Sequence, residues 1–437
     1  MVTRELISTE IEDHAPGRGG RIRPWAITAM LCAFMFINFA DKAVLGLVAI
    51  PLSEEFGLSP AQYGELASSF FFLFTLSALL VGMLANRIST RWLLLAMALL
   101  WSVTQVPMIW TTSLAVVFAS RIALGAAEGP AFGMTNHALQ KWFDNKHLQV
   151  PASLLSVGNK VGSLVAAPTI TWVILQFGWR HAFTAVVIAG LVWSLLWLVV
   201  GREGPINSVQ ASAGDHQSPA EESKVPYRRI FLSGTWLGGT LMAFASYFGF
   251  ALATTWLPRY LSGGLNYSMT TAGNLLAVFW ALGALLTFGA SFVSQRLTLR
   301  GVATRWSRGA VGAAMVLVGG LAIFLSVLVS VPWASLSFLM LGLGAPSAVQ
   351  TLNASIQGEI CPMRQRGPVL GLSIGMATLG GVIAPMVMGF LVQANPDSLV
   401  GYQQTFMMIG TVCVLAAGVG LALINPRRDA TRLLASS

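Results

Sequence analysis

Residues 25–50 read WAITAMLCAFMFINFADKAVLGLVAI, an apolar run broken by one charged pair, Asp41 and Lys42, set side by side within it. A bilayer-crossing helix needs about 20 mainly apolar residues, so the run predicts a membrane span. Eleven further runs of this kind follow, at 62–85, 92–110, 114–138, 150–176, 182–200, 231–257, 270–294, 309–330, 333–358, 368–393 and 403–424. They are continuously apolar rather than alternating, which argues for helices and against a barrel. Across all 437 residues, 55% are hydrophobic and only 10% charged, against about 25% charged in soluble proteins. Mean hydropathy is +0.70. These figures exclude a disordered chain, a disulfide scaffold and an ordinary cytosolic enzyme. What they predict is an all-α polytopic membrane protein.

The hydrophilic stretch at 201–230, rich in Ser, Pro and charge, reads as a flexible linker and divides the spans six and six. The predicted organisation is a tail at 1–24, a six-helix bundle at 25–200, the linker at 201–230, a second bundle at 231–424 and a tail at 425–437. The polar first 24 residues carry no apolar core of a cleavable signal. The net charge of +9 needs no nucleic acid to explain it. With the N-terminus inside, the inner segments hold almost every Lys and Arg, and the outer ones only Arg180 and Arg259. That asymmetry predicts both termini in the cytoplasm and a multi-pass protein of the inner membrane. The halves also echo one another. Asn86-Arg87-Ile88-Ser89-Thr90-Arg91 follows the second span, and Gln295-Arg296-Leu297-Thr298-Leu299-Arg300 follows the eighth. Duplicated halves are a transporter architecture, with the substrate site near the midplane.

Asp41, Lys42, Arg121, Glu128 and Lys160 fall inside predicted spans, all in the first half. Each costs on the order of 2.5–3.5 kcal/mol at the centre of an isolated helix, so they must face water or one another. Arg121 and Glu128 lie two helical turns apart on one face, about 10 Å along the axis. Gly125, Ala126 and Ala127 between them admit a neighbouring helix or a substrate. Arg121 either binds an anion or neutralises an acid on another helix. Asp41 and Lys42 point roughly 100° apart; Lys42 serves a cavity or reaches towards the headgroups. Lys160, beside Asn159, is a cavity charge or the partner of an acid.

The second half offers polarity instead. Ser347, Gln350, Asn353 and Gln357 form a stripe on the tenth span, joined by Thr254 and Thr255, Asn274, Ser373 and Thr378. Such a stripe serves as interhelical glue or binds hydroxyl groups. Cys32, Cys361 and Cys413 are scattered, the five histidines form no ligand cluster, and there is no Walker loop or HExxH. Neither a metal, a cofactor nor enzymatic chemistry is expected.

Ile37-Asn38-Phe39-Ala40-Asp41-Lys42, the basic loop at Arg87, Arg121-x6-Glu128-Gly129-Pro130 and Lys141-Trp142-Phe143 resemble the major facilitator superfamily, and within it the anion:cation symporter group. The resemblance spans all twelve runs. It implies a monomer of two pseudo-symmetric six-helix bundles that imports a small organic anion with protons by alternating access. Position by position, it implies that Asp41 and Glu128 carry protons, that Arg121 holds the substrate carboxylate and that Asn159 is a polar substrate contact; the reading of the residues adds Lys42, Lys160 and Phe74. From the polar stripe, Gln350, Asn353, Gln357 and Thr378 would complete the binding site, and the paired basic loops offer Arg87, Arg91, Arg296 and Arg300 for gating. Lys42 stands where many members have Arg, Phe74 where a tyrosine is common, and Asn86 where Asp is usual. A sugar acid such as an aldonate or uronate suits the tenth-span stripe, and an aromatic carboxylate suits Phe74; the stripe tilts the expectation to the sugar acid. Three other functions set against this are a drug or metabolite exporter of the same architecture, a membrane-embedded enzyme and a transporter-like sensor. A cavity holding Arg121, Lys42 and Lys160 repels the lipophilic cations that many exporters carry.

Overall fold

The computed structural model describes residues 18–84, 88–143, 149–205, 225–362 and 365–434, and among these every regular element is a helix. Among the described residues, eleven helices are long and apolar enough to cross a membrane. Pro60–Phe72 and Phe74–Leu84, interrupted only at Leu73, supply the remaining span. The all-helical, twelve-span expectation holds. Span ends shift by a few residues, most at the first, whose helix begins at Arg18 inside the stretch read as a tail. Beyond Leu47 the chain continues as Ala49–Phe56 and stops at Gly57, whose positive φ of 62° closes the helix in the left-handed region. Ser59 then starts the second span with a reciprocal cap, accepting from the Gln62 amide while the Gln62 side chain accepts from the Ser59 amide.

The fourth span runs as Leu114–Glu128 and Ala131–Gln140, and the tenth as Pro332–Gly344 and Ala348–Gly358. Each breaks at a proline, Pro130 and Pro346, which has no N–H for the helix ladder. The two breaks fall at the same ordinal position in the two halves, and the first directly follows Glu128. The second span packs along the eleventh (Arg366–Ala394), and the fifth (Gln149–Phe177) along the eighth (Met269–Leu299), joining the helices before the linker to those after it.

The end away from the termini is tightly closed. A Cβ on Gly64 would lie 2.4 Å from the Pro385 carbonyl oxygen, and one on Gly389 2.5 Å from that of Pro60, so two backbones touch where only glycine fits. Beside them the Tyr63 hydroxyl donates to the Thr255 carbonyl at 2.7 Å, the Ala61 amide to Gln393 at 3.1 Å, and Arg259 to Ser53 at 2.8 Å. Gly64→Val should therefore force this seam apart. The expected readout is maleimide labelling of a cysteine at Ser53, buried beside this seam, several-fold faster than in the parent protein; equal rates would show that the seam does not depend on this contact.

At the opposite end the stretch read as a C-terminal tail forms a helix, Pro426–Leu434. Its Asp429 accepts from the Thr235 amide at 2.8 Å and hydroxyl at 2.6 Å, capping the seventh span (Gly234–Thr255) at its positive end.

Candidate functional site

The first span presents its two charges to different neighbours. Lys42 points to the fourth span, its Nζ donating to Glu128 Oε2 at 2.5 Å and to Asn38 Oδ1 at 2.5 Å. Asp41 points to the third span (Thr90–Gln105), where its Oδ2 accepts from Gln105 Nε2 at 2.6 Å. Adjacent on the helix, the two side chains take different hydrogen-bond partners, although the Asp41 carboxyl also lies close enough to Glu128 to interact with it. All of these groups are buried, Glu128 and Asp41 being 1% exposed and Lys42 8%. Rings also flank the ammonium, with Phe39, Phe70 and Phe74 centred 4.9, 5.8 and 5.9 Å from Nζ.

Arg121 differs from Lys42. It is 3% exposed, and its Nε and Nη1 have no hydrogen-bond partner among the described residues. No acid lies within ion-pair distance there either, although Asp41 and Glu128 are near enough for their charges to act on the guanidinium. Phe70 lies beside the guanidinium at 5.1 Å. Gly125, one turn on, lets the second span approach, since a Cβ there would lie 1.7 Å from the Phe70 carbonyl oxygen. An unpaired buried cation is expensive and persists only where something repays it. Arg121 and Lys42 both line a small cavity with Ala67, Phe70, Phe71, Phe250, Thr254 and Thr255. The cavity sits directly beneath the seam that Tyr63 makes with Thr255.

The acids also show a deficit. Asp41 Oδ1 and Glu128 Oε1, on carboxyls close enough to interact, each lack a donor. Two facing carboxylates are all acceptor, and a proton on either would supply the missing donor.

Other residues expected in the site lie elsewhere. Lys160 donates to Thr287 at 3.2 Å across the fifth–eighth seam, and Thr287 in turn meets Ser347 at 3.0 Å. Asn159 keeps a buried, unpartnered Oδ1 but does not line the cavity. Thr378 bonds to Thr75 across the second–eleventh seam. The tenth-span stripe is occupied within the second half. Gln357 donates to Thr240 at 3.2 Å and Ser373 at 2.7 Å, Asn353 to Ser373 at 3.3 Å, and Gln350, itself exposed, to Ser246 at 3.4 Å. These bonds hold helices together, while the side-chain oxygens of Asn353 and Gln357 are buried without a donor among the described residues. Phe74 is brought to the cations, as are Thr254 and Thr255. Gln105 and Phe250 escaped the sequence reading: a lone amide or ring in an apolar run forms no pattern.

Of the gating arginines, Arg87 lies outside the described residues. Arg91 donates through Nη2 to the Leu198 carbonyl at 2.9 Å. Arg296 is exposed over the Phe292 ring, and Arg300 is an exposed helix end. The organising group at this end is Glu203, which the sequence reading passed over inside the linker. It bonds Lys141 and accepts from the Thr90 amide at 3.3 Å, the Thr90 hydroxyl at 3.1 Å and the Arg91 amide at 3.2 Å. Burial pushes its carboxyl up, but Lys141 and the amides outweigh burial and hold it below its usual value of 4.5. The stabilisation is therefore complete above 4.5 and fades as pH falls through the lower folded value. Glu203→Gln should cost about 1–2 kcal/mol at neutral pH, seen as a Tm lowered by a few degrees, with the difference closing in acid. A difference that persisted in acid would mean that the carboxylate charge plays no part.

Residues 30–360 match the Major Facilitator Superfamily. The chain is 25% identical over 419 residues to a probable sulfoacetate transporter of Cupriavidus necator, covering 92% of this chain and 93% of that one. It is 24% identical over 426 residues to a D-galactonate transporter of Escherichia coli, covering 92% and 95%. Among solved structures, a D-xylose-proton symporter superposes with a TM-score of 0.75 at 17% identity, covering 93% of this chain and 99% of that one; that likeness speaks for the fold.

Proposed function

Because the chain belongs to the major facilitator superfamily, a superfamily of membrane transporters, we propose that it is a proton-coupled symporter that imports a small organic anion by alternating access. The observation that carries the reading is Arg121, a buried guanidinium with two N–H-bearing nitrogens unpartnered beside a cavity that it shares with Lys42. Its planar fork matches a carboxylate. Relatives along nearly the whole chain are transporters of a sulfonated acid and a sugar acid, which supports an anion as cargo.

In this reading the units 25–200 and 231–424 rock against one another within the inner membrane, with both termini cytoplasmic and the chain acting as a monomer. With the site open outwards, protons reach Glu128 and Asp41. A protonated Glu128 no longer holds Lys42 by charge, so Lys42 turns to the cavity, where Arg121 already waits. The anion binds between the two cations, the seam at Gly64 and Gly389 closes above it, and the site opens inwards. Each elementary charge moved through 100 mV adds about 2.3 kcal/mol.

Uptake into proteoliposomes under an inward proton gradient tests the proposal, with labelled gluconate, galactonate, sulfoacetate and benzoate as probes. Accumulation of at least one acid, collapsed by a protonophore, is the expected result. Uptake indifferent to the gradient, or absent for all four, would contradict it.

A further inference from the structure

We infer that the anion taken by this cavity is a carboxylate with an apolar, aromatic body rather than a polyhydroxylated acid; the inference rests on the anion-symport reading above. Away from Lys42 and Arg121 the wall is carbon, made by Ala67, Phe70, Phe71 and Phe250. The polar side chains left are Thr254 and Thr255, and both hydroxyl protons are spent on their own helix. Thr254 donates to the Phe250 and Ala251 carbonyls at 3.0 and 2.9 Å, and Thr255 to the Ala251 carbonyl at 2.6 Å. The wall therefore offers an occupant two acceptor oxygens and, beyond the two cations, no donor.

An aldonate bears a hydroxyl on every carbon beyond its carboxylate, more than two acceptor oxygens can serve, and a buried polar group without a partner opposes binding. The polar groups of the tenth span do not line this cavity. Asn353 and Gln357 donate to Ser373 and Thr240, and Gln350 to Ser246. An aromatic body has the opposite fit. Phe250 already stands in a line of rings, 6.3 Å from Phe39 and 6.1 Å from Trp280. A further ring between Phe71 and Phe250 extends that packing while its carboxylate meets the guanidinium. Sites that supply no hydrogen-bond partner select by shape and apolarity.

The test is calorimetric titration of the purified full-length protein with benzoate, phenylacetate, gluconate and galactonate, repeated on Arg121→Ala. Benzoate or phenylacetate should bind at least tenfold more tightly than either sugar acid and should lose that binding in Arg121→Ala. Phe250→Asn, which adds an amide to the wall, should narrow the ratio by about tenfold. A sugar acid that binds within tenfold of the aromatic acids or better, and through Arg121, overturns the inference and leaves the anion reading standing. Failure of all four acids to bind in an Arg121-dependent way overturns both.

Discussion

Arg121→Ala is expected to lower the affinity for the transported anion by at least about 100-fold. Each hydrogen bond between a guanidinium N–H and a carboxylate contributes about 1.5–3 kcal/mol, and two would be lost, at about 1.4 kcal/mol per tenfold change. Among the described residues Arg121 makes no hydrogen bond through Nε or Nη1, so no bond at those nitrogens is lost along with the ligand contact. Arg121→Lys keeps the charge without the fork and should fall between the two. The measurement is a binding isotherm on protein that elutes as the parent does. Unchanged affinity in the alanine variant would remove Arg121 from the site.

Glu128→Gln should separate binding from drive. The amide mimics a protonated carboxyl, so Lys42 is left free of its counter-charge and the anion should still bind. Gradient-driven accumulation should be lost. One charge through 100 mV supports roughly 50-fold accumulation, and the variant should level off near equality across the membrane while still exchanging labelled for unlabelled anion. Uphill uptake at the parent's level would take Glu128 out of the proton path.

The spans were legible because bilayer thickness imposes a length and an apolarity that any single run displays, as residues 25–50 do. Charges within them were equally plain, since Asp41, Lys42, Arg121 and Glu128 stand against an apolar background. Helical periodicity also placed Arg121 and Glu128 on one face. What periodicity lacks is the identity of the facing helix. That Lys42 takes Glu128 while Asp41 takes Gln105 depends on how three helices are rotated about their axes, and no residue count contains it. The tenth-span stripe was ambiguous for the same reason: four polar residues on one face look alike whether they meet a cavity or neighbouring helices, as Gln357 meets Thr240 and Ser373. Lys160 likewise reads as a buried cation in either setting, and only the packing of the fifth span on the eighth assigns it to Thr287. Glu203 was hidden by its surroundings, because a carboxylate in a polar stretch reads as linker until the helix ends that it bonds are brought together.

The account depends on a carboxylate and protons sharing one buried set of charges. Its most direct test is to add benzoate or gluconate, whichever binds, to purified protein in a weakly buffered solution containing a pH indicator. Net uptake of protons from the medium as the anion binds, absent in Glu128→Gln, is the predicted result. Anion binding with no proton uptake, or with proton release, would contradict it.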